Sequence, residues 1–202
     1  MTDDREIFDA TLVRQRMARA VASPEFPGFL FERANEELLD RLSLIKRQFK
    51  STLVLSDLPA GLAAALETSP QHGTVATADA SAGYETPDLE PEGLDCILSV
   101  LNLHSINNLP AVLTRYRQAL RPDGLFTAVL LGAGSLGELR DAWLSAEADS
   151  PHGASPRVAP FADIRSLGGL LQHAGFALPV ADSDTLVLTY ENALAAMREV
   201  KA

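Results

Sequence analysis

The stretch from residue 94 to residue 132 constrains the fold of this chain more than any other segment. It contains two continuous apolar runs, residues 94–100 and 125–131, separated by a segment whose apolar residues recur at helical spacing. Continuous apolar runs of this length are typical of parallel strands that are covered on both faces. The Arg-Pro-Asp-Gly turn at 121–124 is expected to end the helix and start the second strand. The stretch therefore predicts a strand–helix–strand unit of an α/β sheet, with a ligand-facing loop after its first strand.

The rest of the chain repeats this alternation. Further helices are predicted over 3–20, 29–49, 61–67, 136–148, 161–174 and 191–201, and strands over 52–56, 74–78, 176–180 and 185–190. The connection between the last two strands is too short for parallel neighbours, so they are expected to form a hairpin. The prediction is an α/β fold with a mostly parallel sheet, a C-terminal antiparallel hairpin and a shortened first half. Its buried core is expected to include Leu98, Val100, Leu113, Leu120, Phe126, Val129, Leu170 and Phe176.

Length and composition limit the kind of protein. With 202 residues, a single domain is expected, in which residues 1–50 form a helical segment packed on an α/β core of residues 51–202. A net charge of −10 argues against nucleic acid as a partner. The single cysteine and the scattered histidines predict neither a disulfide nor a metal site. No apolar run approaches the roughly 18 residues of a membrane span, so a bacterial, cytoplasmic protein is expected.

Several motifs carry a resemblance to a known family. They are Leu-Asn-Leu-His at 101–104 with the Asn-Asn-Leu-Pro that follows at 107–110, the 121–124 turn, SPRVAPF at 155–161, and LLQHAGF at 170–176. With the entry segment 8–49, these blocks resemble the class I methyltransferase-like family of mitochondrial complex I assembly factors and their alphaproteobacterial relatives. That family is in turn similar to the biotin-synthesis methyltransferase.

This resemblance implies a Rossmann-like class I methyltransferase fold and S-adenosylmethionine as the cofactor. It also implies a role near respiratory complex I assembly, although the mitochondrial relative is an arginine hydroxylase. The family pattern continues beyond Ala202, so the chain is expected to be either naturally short or cut there.

The resemblance breaks where the cofactor should bind. The family pattern has a strand that ends in an acid, followed by a glycine-rich loop whose bare backbone approaches the cofactor. Here the corresponding residues are Ser56-Asp57-Leu58-Pro59-Ala60-Gly61, and only Gly61 remains as a candidate. Pro59 offers no N–H and Leu58 adds bulk. The sequence therefore predicts a degenerate site that binds S-adenosylmethionine weakly or not at all.

The acid that would hold the ribose hydroxyls has two candidates. Between Gly61 and Leu94 there is room for one helix and one strand only. In one register, 52–56 is the first strand of the family and Asp79 ends the second. In the other register, the first strand is deleted and Asp57 ends the second. The distance from Phe49 favours Asp79, and for either residue the alternative is a solvated turn aspartate.

Three further residues are candidates for a binding role. Asn102 and His104 follow a predicted buried strand, at the rim where α/β sheets bind ligands. His104 would line the pocket or act as a base, but the aromatic residue that the family places after it is Ser105 here. Arg157 would pair with a carboxylate ligand or hold its own loop against Asp163 or Glu147. No catalytic residue is predicted.

Two main functions follow from these observations. The first is a methyltransferase-like protein that has lost its cofactor and acts as a binding or assembly module. The second is an active S-adenosylmethionine-dependent methyltransferase with an atypical loop, and a different nucleotide-binding enzyme is a third possibility. The shortened sheet is expected to expose an edge, which the N-terminal helices, a protein partner or a second copy of the chain would cover.

Overall fold

Four parallel strands form the centre of the protein in a computed structural model, which describes residues 6–23, 26, 28–79, 89–148 and 153–201. The strands are β1 (Phe49–Leu55), β2 (His72–Ala78), β3 (Leu94–Val100) and β4 (Leu120–Val129). The helices are α1 (Ala10–Val21), α2 (Phe29–Ser43), α3 (Ala60–Glu67), α4 (Leu109–Ala119), α5 (Gly137–Glu147), α6 (Ile164–His173) and α7 (Ala193–Lys201), with a 3-10 turn at Leu103–Ser105. The sheet order is β2-β1-β3-β4. The predicted α/β, mostly parallel fold is confirmed.

The sheet divides the core into two apolar clusters because side chains alternate along each strand. Val54, Leu98 and Val100 point into the first apolar cluster, which also holds Phe31, Ala34, Leu38 and Leu42 of α2 and Leu62 and Leu66 of α3. Leu53, Leu55 and Ile97 point into the second apolar cluster, which also holds Leu109, Val112, Leu113, Tyr116 and Ala119 of α4. Of the predicted core, Leu98, Val100, Leu113 and Leu120 are buried. Phe126, Val129, Leu170 and Phe176 are half-buried and pack against these clusters.

Asp95 ties the amino ends of three strands together. Its carboxylate accepts hydrogen bonds from the backbone N–H groups of Lys50 and Ser51, at 2.9 and 3.0 Å. It also forms an ion pair with Arg121 of β4 at 3.0 Å. Burial alone would raise the pKa of Asp95, but these donors outweigh burial and lower it. Next to this contact, Leu94 of β3 pairs with Leu120 of β4, and Cys96 pairs with Leu125. The strand β4 thus begins before the turn predicted at 121–124, and the residues of that turn lie in a register shift between the two pairs.

The predicted C-terminal hairpin is wrong. Residues 176–190, all of which are described, contain no strand. Pro179 has no N–H to donate to a ladder, which weakens the first predicted strand. Phe176 packs on the second apolar cluster, while Asp182 forms an ion pair with Arg41 of α2 at 2.9 Å. β4 is therefore left as an edge of the described sheet.

The other edge of the described sheet is β2, which lies in the first half of the chain, where a shortened sheet was expected. One helix and one strand, α3 and β2, lie between β1 and residue 79, as predicted, and residues 80–88 lie outside the described residues. Thr74 and Thr77 of β2 are exposed. The long helix α2 packs against α3, β3 and β4, so it covers a face of the sheet rather than this edge. No helix in the described part of the chain is long and apolar enough to cross a membrane.

Candidate functional site

The candidate site lies at the carboxyl edge of the sheet, defined as the turn 56–59, residue 79 and the segment 101–104. The chain order reverses between β1 and β3, and ligands of open α/β sheets bind outside the carboxyl ends of the strands at such a switch point. Leu55 pairs with Ala78 on one side and with Ser99 on the other, so the three strands end level with one another. The fold therefore brings four of the predicted site residues to one edge: Asp57, Asp79, Asn102 and His104.

The turn from β1 to α3 has two of its backbone N–H groups bonded within the protein. The Ser56 N–H donates to the carbonyl of Ala78 at 3.2 Å. The Leu58 N–H donates to the Ser56 hydroxyl at 3.1 Å. Pro59 has no N–H and occupies the N-cap position of α3. The Leu58 side chain packs against the first apolar cluster, so its bulk is directed towards the core. What Leu58 withholds from a ligand is its backbone N–H, which is bonded to Ser56.

Gly61 does not behave as a close-approach glycine. It lies inside α3, where an added Cβ would meet only the Asn35 side chain, at an ordinary contact distance of 3.9 Å. Its backbone φ lies outside the left-handed region that favours glycine. This position therefore tolerates a side chain.

The two candidate ribose acids occupy different positions along the edge. Asp57 is half-buried and follows the central strand β1, whereas Asp79 is exposed and follows the edge strand β2. In dinucleotide-binding sheets the ribose acid lies about 20 residues after the glycine loop. Asp79 stands at that distance from the β1–α3 turn, and the assignment of either acid stays a prediction.

The end of β3 is a strained and internally bonded turn. Leu101 has a φ of 51°, in the left-handed region, and its N–H donates to the Val129 carbonyl at 2.8 Å. Asn102 is buried, and its side-chain oxygen accepts a hydrogen bond from the Ser99 hydroxyl. The Asn102 carbonyl accepts a further bond from the Ser105 hydroxyl at 3.0 Å. These contacts fix the direction in which the chain leaves the sheet towards His104.

His104 has an uncommitted ring nitrogen at this edge. Its Nδ1 is buried and has no hydrogen-bond partner among the described residues. Burial lowers the pKa of His104 from 6.5 to about 4, so the ring is neutral near pH 7. Phe161 contacts the imidazole edge-to-face, with ring centroids 5.5 Å apart. Position 105 has a serine where the resembling family has an aromatic residue, and Phe161 of the SPRVAPF loop supplies an aromatic neighbour for His104 instead.

The loop that carries Phe161 lies beside the end of β4. The Ala133 N–H donates to the Ala162 carbonyl at 3.1 Å, which joins this loop to the segment after β4. Phe161 was not among the predicted site residues, because a contact between residues distant in sequence has no local pattern. The one sequence signal for it was an aromatic residue at the end of the SPRVAPF block.

Arg157 is engaged within its own loop. Its guanidinium forms an ion pair with Glu147 of α5 at 2.6 Å and lies 5.5 Å from the centre of the Trp143 ring. Glu147 also accepts the Ser155 N–H at 2.8 Å. The Ser155 N–H and Arg157 together lower the pKa of Glu147. The structure thus places Arg157 in the loop-holding arrangement.

The N-terminal segment is tied to the same edge by Asn107. The side-chain oxygen of Asn107 accepts the N–H groups of Ile7 and Phe8, both at 2.8 Å. Its side-chain nitrogen donates to the Phe8 carbonyl at 2.8 Å. Asn107 follows the 3-10 turn that contains His104, so residues 7 and 8 are held next to the candidate site.

Burial of the His104 imidazole predicts how the stability of the fold depends on pH. The unfolded chain binds a proton at His104 below about pH 6.5, whereas the folded chain does so only below about pH 4. Stability from this group is therefore fully present above pH 6.5 and is lost as pH falls towards 4, by at most about 3 kcal/mol. Burial also lowers the pKa of His72, which acts in the same direction.

We expect His104→Phe to show a weaker loss of unfolding free energy between pH 6.5 and pH 4 than the wild type, by urea denaturation. The acid sensitivity that remains in this variant includes the contribution of His72, which His72→Gln measures separately. Parallel pH profiles for the wild type and His104→Phe would show that His104 is not buried as a neutral ring.

Comparisons with solved structures first define the class of fold. The fold matches that of an S-adenosylmethionine-dependent methyltransferase from Thermotoga maritima, described as a possible histamine N-methyltransferase, with a TM-score of 0.55 and 16% identity over 81% of each chain. It also matches the plantazolicin methyltransferase BamL in complex with a triazolic desmethylPZN analog and SAH, with a TM-score of 0.50, 16% identity and coverage of 82% of this chain and 75% of that chain. The fold is therefore a Rossmann-like methyltransferase fold. No family model matches the sequence.

Curated relatives then identify the group of similar proteins. The chain is 28% identical to human "Arginine-hydroxylase NDUFAF5, mitochondrial" over 214 residues, or 96% of this chain and 62% of that protein. It is 36% identical to the protein of that name from Dictyostelium discoideum over 113 residues, or 56% of this chain and 26% of that protein. It is 39% identical to malonyl-[acyl-carrier protein] O-methyltransferase of Laribacter hongkongensis over 121 residues, or 60% of this chain and 39% of that protein. The chain thus spans only part of the length of these relatives, and the resemblance inferred from its motifs is confirmed.

Proposed function

We propose that this chain is a methyltransferase-fold binding module that does not hold S-adenosylmethionine tightly and that acts in assembly of a respiratory complex I. The observation that carries this proposal is the state of the β1–α3 turn. Its Ser56 and Leu58 N–H groups are already bonded within the protein, and Pro59 has none. A cofactor carboxylate or ribose that needs backbone donors at positions 56, 58 and 59 would not find them, and the first turn of α3, which has no side-chain cap, is the remaining source of N–H groups. Residues 56–59 therefore do not fit this cofactor in the way that a glycine-rich loop would.

The relatives do not tie this chain to a single reaction. One curated relative is named an arginine hydroxylase and another an O-methyltransferase, so similarity by itself does not select one reaction. A fold neighbour from Haloferax volcanii, with a TM-score of 0.50 and 11% identity, was solved in a complex with the Trm112 methyltransferase activator. That neighbour therefore binds a protein partner. The complex I role is drawn from the motif resemblance and the NDUFAF5 relatives.

An active S-adenosylmethionine-dependent methyltransferase is the second candidate function. The uncommitted Nδ1 of His104, next to Phe161, favours it, because a buried polar atom without a partner is costly unless a ligand satisfies it. BamL, with its bound SAH, shows that the matching fold carries this product in another protein. Cofactor affinity separates the two candidates.

Calorimetric titration with S-adenosylmethionine and with its demethylated product tests the proposal. Loss of about 4 kcal/mol of backbone hydrogen bonding weakens binding roughly a thousandfold, which moves a micromolar site to about the millimolar range. We therefore expect no saturable heat for either compound in the micromolar range. A dissociation constant below about 10 μM for either compound would overturn the proposal and favour the enzyme. Mutation of Asp79 would then be the first step in locating that site.

A further inference from the structure

Helix α1 concentrates positive charge in an acidic protein. Its 12 residues include Arg14, Arg16 and Arg19 and contain no acidic residue, whereas the whole chain has a net charge of −10. Helical spacing places Arg16 and Arg19 on the same flank as Leu12, and all three side chains are exposed. We call these three residues the α1 stripe.

A neighbouring face of α1, about a quarter turn around the helix from the stripe, is used for packing. Val13 and Met17 are half-buried and Ala20 is buried, and Met17 contacts the first apolar cluster. The start of the helix is capped by Asp9, whose carboxylate accepts the Leu12 N–H at 2.9 Å. The residues just before the helix are fastened by Asn107. The α1 stripe is therefore presented from a helix that is anchored at both ends, which reduces the entropy lost on binding.

The two guanidinium groups of the stripe are uncommitted. Arg33, Arg41, Arg121 and Arg157 form ion pairs with carboxylates. Neither Arg16 nor Arg19 forms an ion pair within the part of the chain that the structure describes. Arginine is enriched at protein interfaces, where it pairs with carboxylates in a bidentate manner. Leu12, which is 40% exposed, adds an apolar contact beside them.

We propose that the α1 stripe docks an acidic, partly apolar segment of a partner protein. This inference rests on the proposed binding function and names the chemistry of its partner. A short acidic segment matches two arginines and one leucine. A nucleic acid matches them poorly, because the remaining surface of this chain is strongly acidic and would repel a long polyanion.

Charge reversal on the stripe tests the docking surface. The probe is a fluorescent helical peptide with glutamates and leucines on one face, and its anisotropy is measured with the full chain at low and high salt. We expect Arg16→Glu/Arg19→Glu to weaken peptide binding by about tenfold or more, and salt to weaken wild-type binding. The matched control is Arg115→Glu/Arg198→Glu, which makes the same charge change on exposed positions of α4 and α7 and is expected to bind like the wild type.

Three outcomes would contradict the docking proposal. They are absence of peptide binding by the wild type, equal loss in the two double variants, and tighter binding of a single-stranded oligonucleotide than of the peptide. The cofactor titration is independent of this assay. A tight complex with S-adenosylmethionine would overturn the non-enzymatic function even if the stripe binds the peptide, and weak cofactor binding with no peptide binding would overturn the stripe alone.

Discussion

Replacing Leu113 by alanine is expected to lower the free energy of unfolding by about 2–5 kcal/mol. Leu113 is 2% exposed and lies in the second apolar cluster, between α4 and the sheet. Its removal takes away the apolar area that it buries and leaves a cavity that its neighbours fill only in part. Urea denaturation monitored by circular dichroism measures the change as a shift of the unfolding transition.

The matched control for this change is Leu44→Ala. Leu44 is 81% exposed at the end of α2, so the same substitution removes almost no buried area. We expect its effect to stay within about 0.5 kcal/mol. A loss below about 1 kcal/mol for Leu113→Ala would show that the buried face of α4 is wrongly assigned.

The regular elements were predictable where one strong local signal was present. The run Leu94–Val100 is β3 at the predicted bounds, because a buried parallel strand needs a continuous apolar sequence. The helix predicted over 161–174 is α6, and Gly175 follows its end with a φ of 89°, a conformation in which glycine commonly ends helices. The predicted strand 176–180 failed, since its apolar residues resemble those of a strand whereas Pro179 and the ion pairs of the following loop oppose pairing.

The candidate site was predictable only in part. Placement of Asp57, Asp79, Asn102 and His104 at one edge follows from parallel topology alone, because all four follow strand ends. The committed N–H of Leu58 and the Phe161 contact depend on side chains that are brought together by folding. The Asn107 attachment joins residues that are 99 and 100 positions apart. A single sequence carries no local pattern for such contacts.

Freeing backbone donors in the β1–α3 turn is expected to raise the affinity for S-adenosylmethionine. Ser56→Ala releases the Leu58 N–H, and Pro59→Gly restores a donor at position 59, while the packing of the Leu58 side chain is retained. A hydrogen bond to a charged group is worth about 1.5–3 kcal/mol, so one new bond corresponds to roughly a ten- to hundredfold tighter complex. Calorimetric titration of the Ser56→Ala/Pro59→Gly variant measures this gain, and its melting curve reports whether it remains folded.

The chain contains a matched control for this experiment at the opposite end of the sheet. Ser69 and Pro70 stand between α3 and β2, and the Ser69 hydroxyl accepts the Gln71 N–H at 3.3 Å. Ser69→Ala/Pro70→Gly therefore makes the same chemical change, with a similar effect on chain flexibility, far from the carboxyl edge. We expect this variant to leave cofactor affinity unchanged. Equal affinities for both variants and the wild type would show that the β1–α3 turn does not limit binding, and the degenerate-site explanation would then fail.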